Sequence, residues 1–500
     1  MRVKRIFSLF LAILMLLLMV SCGEQSVETT DGEGEQPSSE GNWRDEIRDS
    51  LPSDLKYEGE TVTFLVRNNA PIYQYEISCE ELLNEPLYDA IHYRNIDVES
   101  RLGLTIKSVG RPGSFEEYQS WNEILSVAVL TDTDDYDGAS FYMSTGTALT
   151  KEGVFYNLMT LTKEEDGYFD FEKPWWNQSM VDELSVYGAL FFAGGSLTIT
   201  QSAGGVCVFF NRELFNEKYP DEGDASLYQM VRDQKWTIDQ LTNYISNCWE
   251  DVNFDGVVSA GDVVGIKSLV NVTGKMDAWI PAMGLDFTKI DEYGEPYITL
   301  VNSRTVPAYE KVNRVYNNPG GFIPNTALPH EETSMPNGNV LFYVESLGYG
   351  AEMKASTVNY GVLPLPKYDQ EQEDYRTCFE NSASALAICS NVREDRAAMV
   401  SAVLELLSAE SYKQVIPVYY ETVLKGQYSK DAADAEMFDR ILNSFVFSFG
   451  FAYSSRSMGN FGAIFRTLTA GYDLQQYIDS NKDYWDEQLA ILLEALDRAS

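Results

Sequence analysis

Apolar and polar positions follow two periods along this chain, and its elements lie where the period changes. Thr61-Val62-Thr63-Phe64-Leu65-Val66 is rich in β-branched and apolar residues and predicts a strand. Leu87, Ala90, Ile91, Val98 and Leu102 fall on one helical face, and Gly103 predicts its end. Residues 104–109 predict a second strand, 115–130 a second helix and 136–141 a third strand. Strand–helix–strand–helix–strand implies right-handed crossovers and a parallel sheet. Ligands of such sheets sit beyond the carboxyl ends of the strands. Further on, 189–193 and 206–210 predict strands, 211–217 a helix start, and Thr237 the cap of a helix through Cys248. Residues 359–363 and 384–388 predict two more strands, and the chain from Glu394 onward predicts mainly helix.

The first 22 residues break this pattern. Arg2, Lys4 and Arg5 precede an apolar run, 6–20, interrupted by Ser8 alone and followed by Ser21-Cys22. A basic start, a short apolar stretch and a small residue before the cut predict a secretory signal over 1–21. The run is shorter than the ~20 residues a spanning helix needs. Met19-Val20-Ser21-Cys22 resembles a bacterial lipoprotein box, with Met in place of the usual Leu; that resemblance implies a lipidated N-terminus at Cys22. Residues 23–42 are Gly, Ser, Glu, Gln and Thr with almost nothing apolar, so 22–54 is expected to be a tether rather than a folded unit.

Composition narrows the partners. The 37 basic and 76 acidic residues leave a formal charge of −39, which repels nucleic acid and anionic lipid headgroups. Small neutral solutes, or cations, are the easier ligands. Besides Cys22, Cys79, Cys207, Cys248, Cys378 and Cys389 are widely spaced and make no metal-ligand pattern. Most of them read as small buried apolar residues; one bridge is open to them, and their odd number leaves at least one unpaired.

One local motif carries metal chemistry. Asp251-Val-Asn253-Phe-Asp255-Gly256-Val257-Val-Ser259-Ala-Gly-Asp262 places oxygen side chains at positions 1, 3 and 5, Gly at 6 and a carboxylate at 12. That is the spacing of an EF-hand-type calcium loop, in which Val257 would ligate through its carbonyl. Asp at position 12 is shorter than the usual Glu and resembles the loops of dockerin modules. A structural Ca²⁺ on Asp251, Asn253, Asp255, Val257 and Asp262 is the expectation, against an Asx-turn loop of solvated acids.

Signatures of catalysis are scarce. The two histidines, His92 and His330, sit in no metal spacing, and there is no GxSxG and no Walker loop. Among so many acids a carboxylate pair for glycoside hydrolysis is always available, but none stands out. The chain therefore reads as non-enzymatic. Aromatic residues in segments predicted as loops are more telling, because flat faces stack on sugar rings. Trp175-Trp176, next to Lys173-Pro174, reads as packing; Trp279 reads as the best candidate for stacking.

Four segments together resemble the family 1 extracellular solute-binding proteins, lipoprotein receptors of bacterial ABC importers. Val208-Phe-Phe-Asn211-Arg-Glu-Leu-Phe215 is similar to the family's YYNKDLF stretch. Lys235-Trp236-Thr237-Ile-Asp-Gln-Leu241 is similar to its TWDEL helix start, and Asn359-Tyr-Gly-Val-Leu-Pro-Leu-Pro-Lys367 to its YGVxPLP strand. Tyr412-Lys-Gln-Val-Ile-Pro-Val-Tyr-Tyr-Glu421 resembles a segment of clostridial members. The resemblance covers nearly all of 57–500. It implies an α/β, two-lobe periplasmic-binding-protein-like fold (type II) that closes on ligand. The first lobe would be 55–205 plus 379–428 and the second 206–378 plus 429–500, ending in a helical C-terminal region. It implies a monomeric receptor that captures a neutral solute, expected to be an oligosaccharide, and passes it to ABC transporter permease subunits at the outer face of the membrane. The rivals are a surface-anchored glycan hydrolase or lyase, and a peptide-binding receptor. Trp279-Ile-Pro-Ala-Met-Gly284 loosely resembles a segment whose aromatic contacts sugar in maltose-binding relatives. The other cleft positions implied are Asn68, Tyr142, Ser144, Thr198, Thr200, Gln201, Glu345, Tyr349, Glu380 and Tyr453. The acid that often marks the first crossing is not evident, and Gly204-Gly205 stands near its place.

Overall fold

In the computed structural model the described residues are 48–246, 248–259, 261–268, 274–318, 320–322, 335–469 and 473–499. The signal, Cys22, most of the tether and His330 lie outside them. Strand β1 (Thr61–Arg67) is followed by a one-turn helix α1 (Pro71–Gln74) and by α2 (Pro86–Leu102). Helix α2 buries Leu87, Ile91, Val98 and Leu102, and ends at Gly103 in the left-handed region at φ 71°. Then come β2 (Thr105–Arg111), α3 (Tyr118–Leu130) and β3 (Gly138–Tyr142). Both β2 and β3 pair with β1 in parallel, as the alternation of elements requires.

The chain leaves this sheet through α4 (Ile199–Ala203) and enters a second one at β4 (Val206–Asn211). Helix α5 (Arg212–Lys218) starts where the Asn211 side chain accepts the Leu214 N–H at 3.1 Å. Next are α6 (Ile238–Ser246), β5 (Val264–Ser268) and α7 (Gly274–Asp277). A small hairpin of β6 (Thr288–Ile290) and β7 (Pro296–Ile298) precedes α8 (Thr305–Tyr316) and β8 (Gly321–Phe322). The rest of the sheet is β9 (Val340–Ser346), flanked by α9 (Gly350–Lys354), and β10 (Tyr360–Pro364). Its order is β10-β4-β9-β5-β8, with β4 antiparallel to both neighbours.

The return leg places β11 (Ser384–Ile388) antiparallel to β3, so the first sheet runs β11-β3-β1-β2. The two crossings lie side by side. Glu380 N–H donates to Gly204 O at 2.8 Å and Val206 N–H to Cys378 O at 3.1 Å. A side chain on Gly205 would meet the Phe445 ring at 2.7 Å, so this close passage needs glycine. After β11 come α10 (Glu394–Glu410) and two wide, π-type helical stretches, Ser411–Val415 and Val418–Tyr428. Pro417 between them has no N–H for the helical ladder. Helices α11 (Ala432–Asn443) and α12 (Leu474–Ala499) complete the chain.

One expected strand is not formed. Residues 189–193 form no strand: Ala193 alone pairs with Leu386 of β11 before the chain turns at Gly194-Gly195. The pattern also passed over β5 and β9. Strand β9 is buried from Val340 to Glu345, so it shows no period-2 alternation. All five described cysteines are buried and unpaired. Among the described residues no helix is long and apolar enough to cross a membrane.

Candidate functional site

A cavity of about 420 Å³ opens where the two sheets' segments face each other beside the crossings. One wall comes from the first sheet's side. Helix α1 starts just past the carboxyl end of β1, with Pro71 at its first turn, and brings Tyr73 to the cavity. The start of α2 adds Tyr88, and the approach to β11 adds Ser382. The opposite wall is the end of β9 and the helical turns after it: Glu345, Ser346, Tyr349 and Glu352. Lys275 enters from α7, Thr200 and Glu380 from the two crossings, and Tyr419 and Tyr428 from the π-type stretch. Widened helical turns of this kind recur at functional sites.

The polar groups are organised around Lys275. Its Nζ lies 2.5 Å from Glu345 Oε1 and 3.5 Å from Glu380 Oε1. Burial alone would lower the Lys275 ammonium, but Glu345 and Glu380 beside it hold it above its ordinary value. Burial pushes Glu345 up, and Lys275 opposes that. The ion pair is the state we assign, because the Ser346 N–H also donates to Glu345 Oε1 at 2.9 Å. Glu380 stands next to Gly204, so the return crossing carries a carboxylate where the outward crossing has glycine.

Beneath the lining lies a second, sealed network. Glu76 is fully buried and accepts the Thr200 N–H at 3.0 Å, the Thr200 hydroxyl at 2.7 Å and the Ser140 hydroxyl at 3.0 Å. Burial raises its carboxyl above its ordinary value, and Thr200, Ser384 and Arg67 oppose that. Arg67 itself lies over the Tyr73 ring at 3.8 Å and donates to Ser382 O at 2.8 Å. It thus holds one cavity tyrosine from behind.

Of the positions the sequence singles out, Thr200, Glu345, Tyr349 and Glu380 line the cavity. The others lie elsewhere. Asn68 is exposed at the end of β1, its N–H on Arg111 O. Tyr142 is buried behind Arg67, 3.5 Å from Asn381 Oδ1, and the Ser144 N–H donates to Asn381 O. Thr198 closes a turn onto Gly195, and Gln201 donates to Ser384 O at 3.0 Å. Trp279 is fully buried and donates its indole N–H to Tyr316 Oη at 3.1 Å. It is therefore core of the second sheet's side rather than a stacking face of this cavity. Tyr453 is likewise buried, 4.6 Å from the Phe449 ring. The pattern missed Tyr73, Tyr88, Lys275, Tyr419 and Tyr428. For Tyr73 the signal was there: it stands just after the first strand's carboxyl end, where the sheet rule points.

Among the described residues of the loop 251–262, Gly256 at φ 74° makes the sharp turn expected at position 6, and Phe254 is also left-handed at φ 60°. Asp251 accepts the Asp255 and Gly256 N–H groups, and Asp255 accepts the Val257 N–H at 2.8 Å. Asp262 is fully buried at the loop's base, accepting the Val252 and Ser259 N–H groups at 3.0 and 2.9 Å. Burial acts to raise Asp262, but these donors hold it below its ordinary value, so it stays ionised. Among the described residues no three His, Cys, Asp or Glu side chains converge on one point. A cation here would therefore draw on Asn253, the Val257 carbonyl and the carboxylates' remaining lone pairs.

With this geometry in place, comparison with known proteins places the fold. No protein-family model matches the chain, and no curated protein matches it. Solved structures do. A cyclo/maltodextrin-binding protein complexed with maltotetraose superposes with a TM-score of 0.56 at 11% identity, covering 87% of this chain and 98% of the other. An ABC substrate-binding protein from Listeria monocytogenes in complex with cycloalternan gives 0.53 at 12%, covering 87% and 100%. The galacto-N-biose/lacto-N-biose I-binding protein of Bifidobacterium longum gives 0.54 at 11%, covering 89% and 98%. The chain shares their fold. It is the two-lobe, periplasmic-binding-protein-like α/β fold, with the antiparallel β11 completing the first sheet after the return crossing.

Proposed function

We propose that this protein is an extracytoplasmic receptor that captures an oligosaccharide between its lobes and delivers it to an ABC transporter permease. The observation that carries this is the cavity's position and chemistry. It lies at the crossings, and it is lined by tyrosine rings and by carboxylate and hydroxyl groups suited to sugar faces and sugar hydroxyls. The neighbours in fold support it, since three of them are described by the glycans they hold. A ligand touching both walls binds the closed state more tightly and shifts the population toward it. No covalent step is needed, and the binding-protein neighbours favour a non-enzymatic role. The signal and Cys22 support a lipid anchor on the outer membrane face, with the polar tether holding the body clear of headgroups. The loop 251–262 is proposed to bind a structural Ca²⁺ through Asp251, Asn253, Asp255 and Val257, with Asp262 pinning the loop closed.

The deciding experiment is a thermal-shift panel of oligosaccharides, amino acids and peptides on the secreted chain. At 100 times its dissociation constant a true ligand adds about 2.7 kcal/mol of stability. Stabilisation by at least one glycan, recovered chemically intact, is expected. Stabilisation by peptides alone would replace the sugar reading with the peptide one, and released fragments would replace it with a hydrolase or lyase.

A further inference from the structure

The charge around the cavity is unbalanced, and this bears on the class of solute. Three carboxylates line it, Glu345, Glu352 and Glu380, against one ammonium, Lys275. Lys275 is already committed to Glu345 and Glu380. Glu352 is exposed and has no ion-pair partner among the described residues. Other cations stand behind the lining rather than on it, Arg94 among them, buried beside the Glu76 that Arg67 also faces. Arg67 faces Glu76, and Arg466 pairs with Asp277. Lys267 of β5 is buried beside Tyr343, 5.6 Å from its ring, on the Glu345 side but outside the lining.

The walls are also suited to a cation. Tyr73, Tyr88, Tyr349, Tyr419 and Tyr428 all line the cavity. A tyrosine face attracts an ammonium within about 6 Å of its centroid. Arg67 already uses one face of Tyr73 in this way. Tyr419 is only 2% exposed, and its hydroxyl has no hydrogen-bond partner among the described residues. A buried hydroxyl without a partner is costly, so a ligand donor or acceptor is the natural way to satisfy it.

We infer that the receptor's preferred solute is an amine-bearing glycan, its protonated amino group received by the Glu380 and Glu352 carboxylates against the tyrosine wall. This rests on the sugar-receptor reading above and adds a charge to it. Neutral glycans of the same shape bind more weakly, and uronate-bearing ones are repelled.

The probes are matched disaccharide trios in α-1,4 and β-1,4 linkage: glucose, glucosamine and glucuronate forms. Each is titrated calorimetrically against the secreted chain at pH 6 and pH 9. The glucosamine form should bind up to about fivefold more tightly than the glucose form at pH 6, the scale of one partly exposed charge pair. Its amine loses its proton about pH 8, so the preference should vanish at pH 9. Glu380→Gln and Glu352→Gln should each narrow the pH 6 ratio. Equal or tighter binding of the glucose form, any preference for the glucuronate form, or tighter binding of a sugar-free polyamine would overturn the inference. In the first two cases the sugar-receptor reading survives. If no member of any trio binds and the wider panel holds no glycan ligand, that reading falls and this inference with it.

Discussion

At Glu405 of α10 a fully buried carboxylate receives three N–H donors. Trp175 donates at 3.0 Å to one oxygen; Trp176 at 2.9 Å and Asp170 N–H at 3.2 Å donate to the other. The packing role read for Trp175-Trp176 is thus joined to a polar one. Burial pushes this carboxyl up to about 8, against those donors. In the unfolded chain it titrates at about 4.3. Between those values the native state keeps a proton that the unfolded state has lost, so stability falls as pH rises through that window. Glu405→Gln has nothing to titrate there. The stability margin of wild type over this variant should shrink by roughly 2–5 kcal/mol from pH 4 to pH 8, read by denaturant unfolding. A margin that stays constant across that range would mean that Glu405 is ionised throughout. Residue identity alone did not reveal this site, because Glu405 lies more than 200 positions from the tryptophans it joins.

Among the elements, the loop 251–262 was the easiest to read and the surrounding aromatics the hardest. The loop's spacing acts within twelve residues, so its turns arise from local chemistry: Asx-type acceptors and a left-handed Gly256. If it holds Ca²⁺, EDTA should lower the melting temperature by several degrees, since a bound ion stabilises by linkage. Asp251→Ala and Asp255→Ala should remove that sensitivity. Equal melting with and without EDTA in metal-free buffer would leave the loop as self-capped Asx turns. Trp279 and Tyr419 show why aromatics are harder. Each stands in a segment with no decisive periodicity. One ends in the core against Tyr316 and the other in the cavity, a difference made by packing partners far away in sequence.

At the scale of the molecule, the anchor and the receptor body are separable predictions. Cys22→Ser should move the protein from the membrane fraction to the medium and abolish incorporation of labelled fatty acid. Ligand-induced stabilisation of the secreted body should be unchanged. Retention of label in the variant would place the lipid elsewhere. The first sheet's order was legible because β1, α2, β2, α3 and β3 are consecutive, and right-handed crossovers leave few topologies. The second sheet was legible only at β4 and β10, since its remaining strands are short or buried on both faces. By itself the sequence determined the alternating α/β elements of the first sheet, their caps, the turns of the loop 251–262 and the glycine pair at the crossing. Each of these depends on residues within a few positions of one another. The tertiary structure alone decided that Tyr73, Tyr88, Lys275, Glu380 and Tyr419 share one cavity while Trp279 and Tyr453 do not. A cavity is made by segments hundreds of residues apart, and no local pattern encodes which side chain each of them turns toward it.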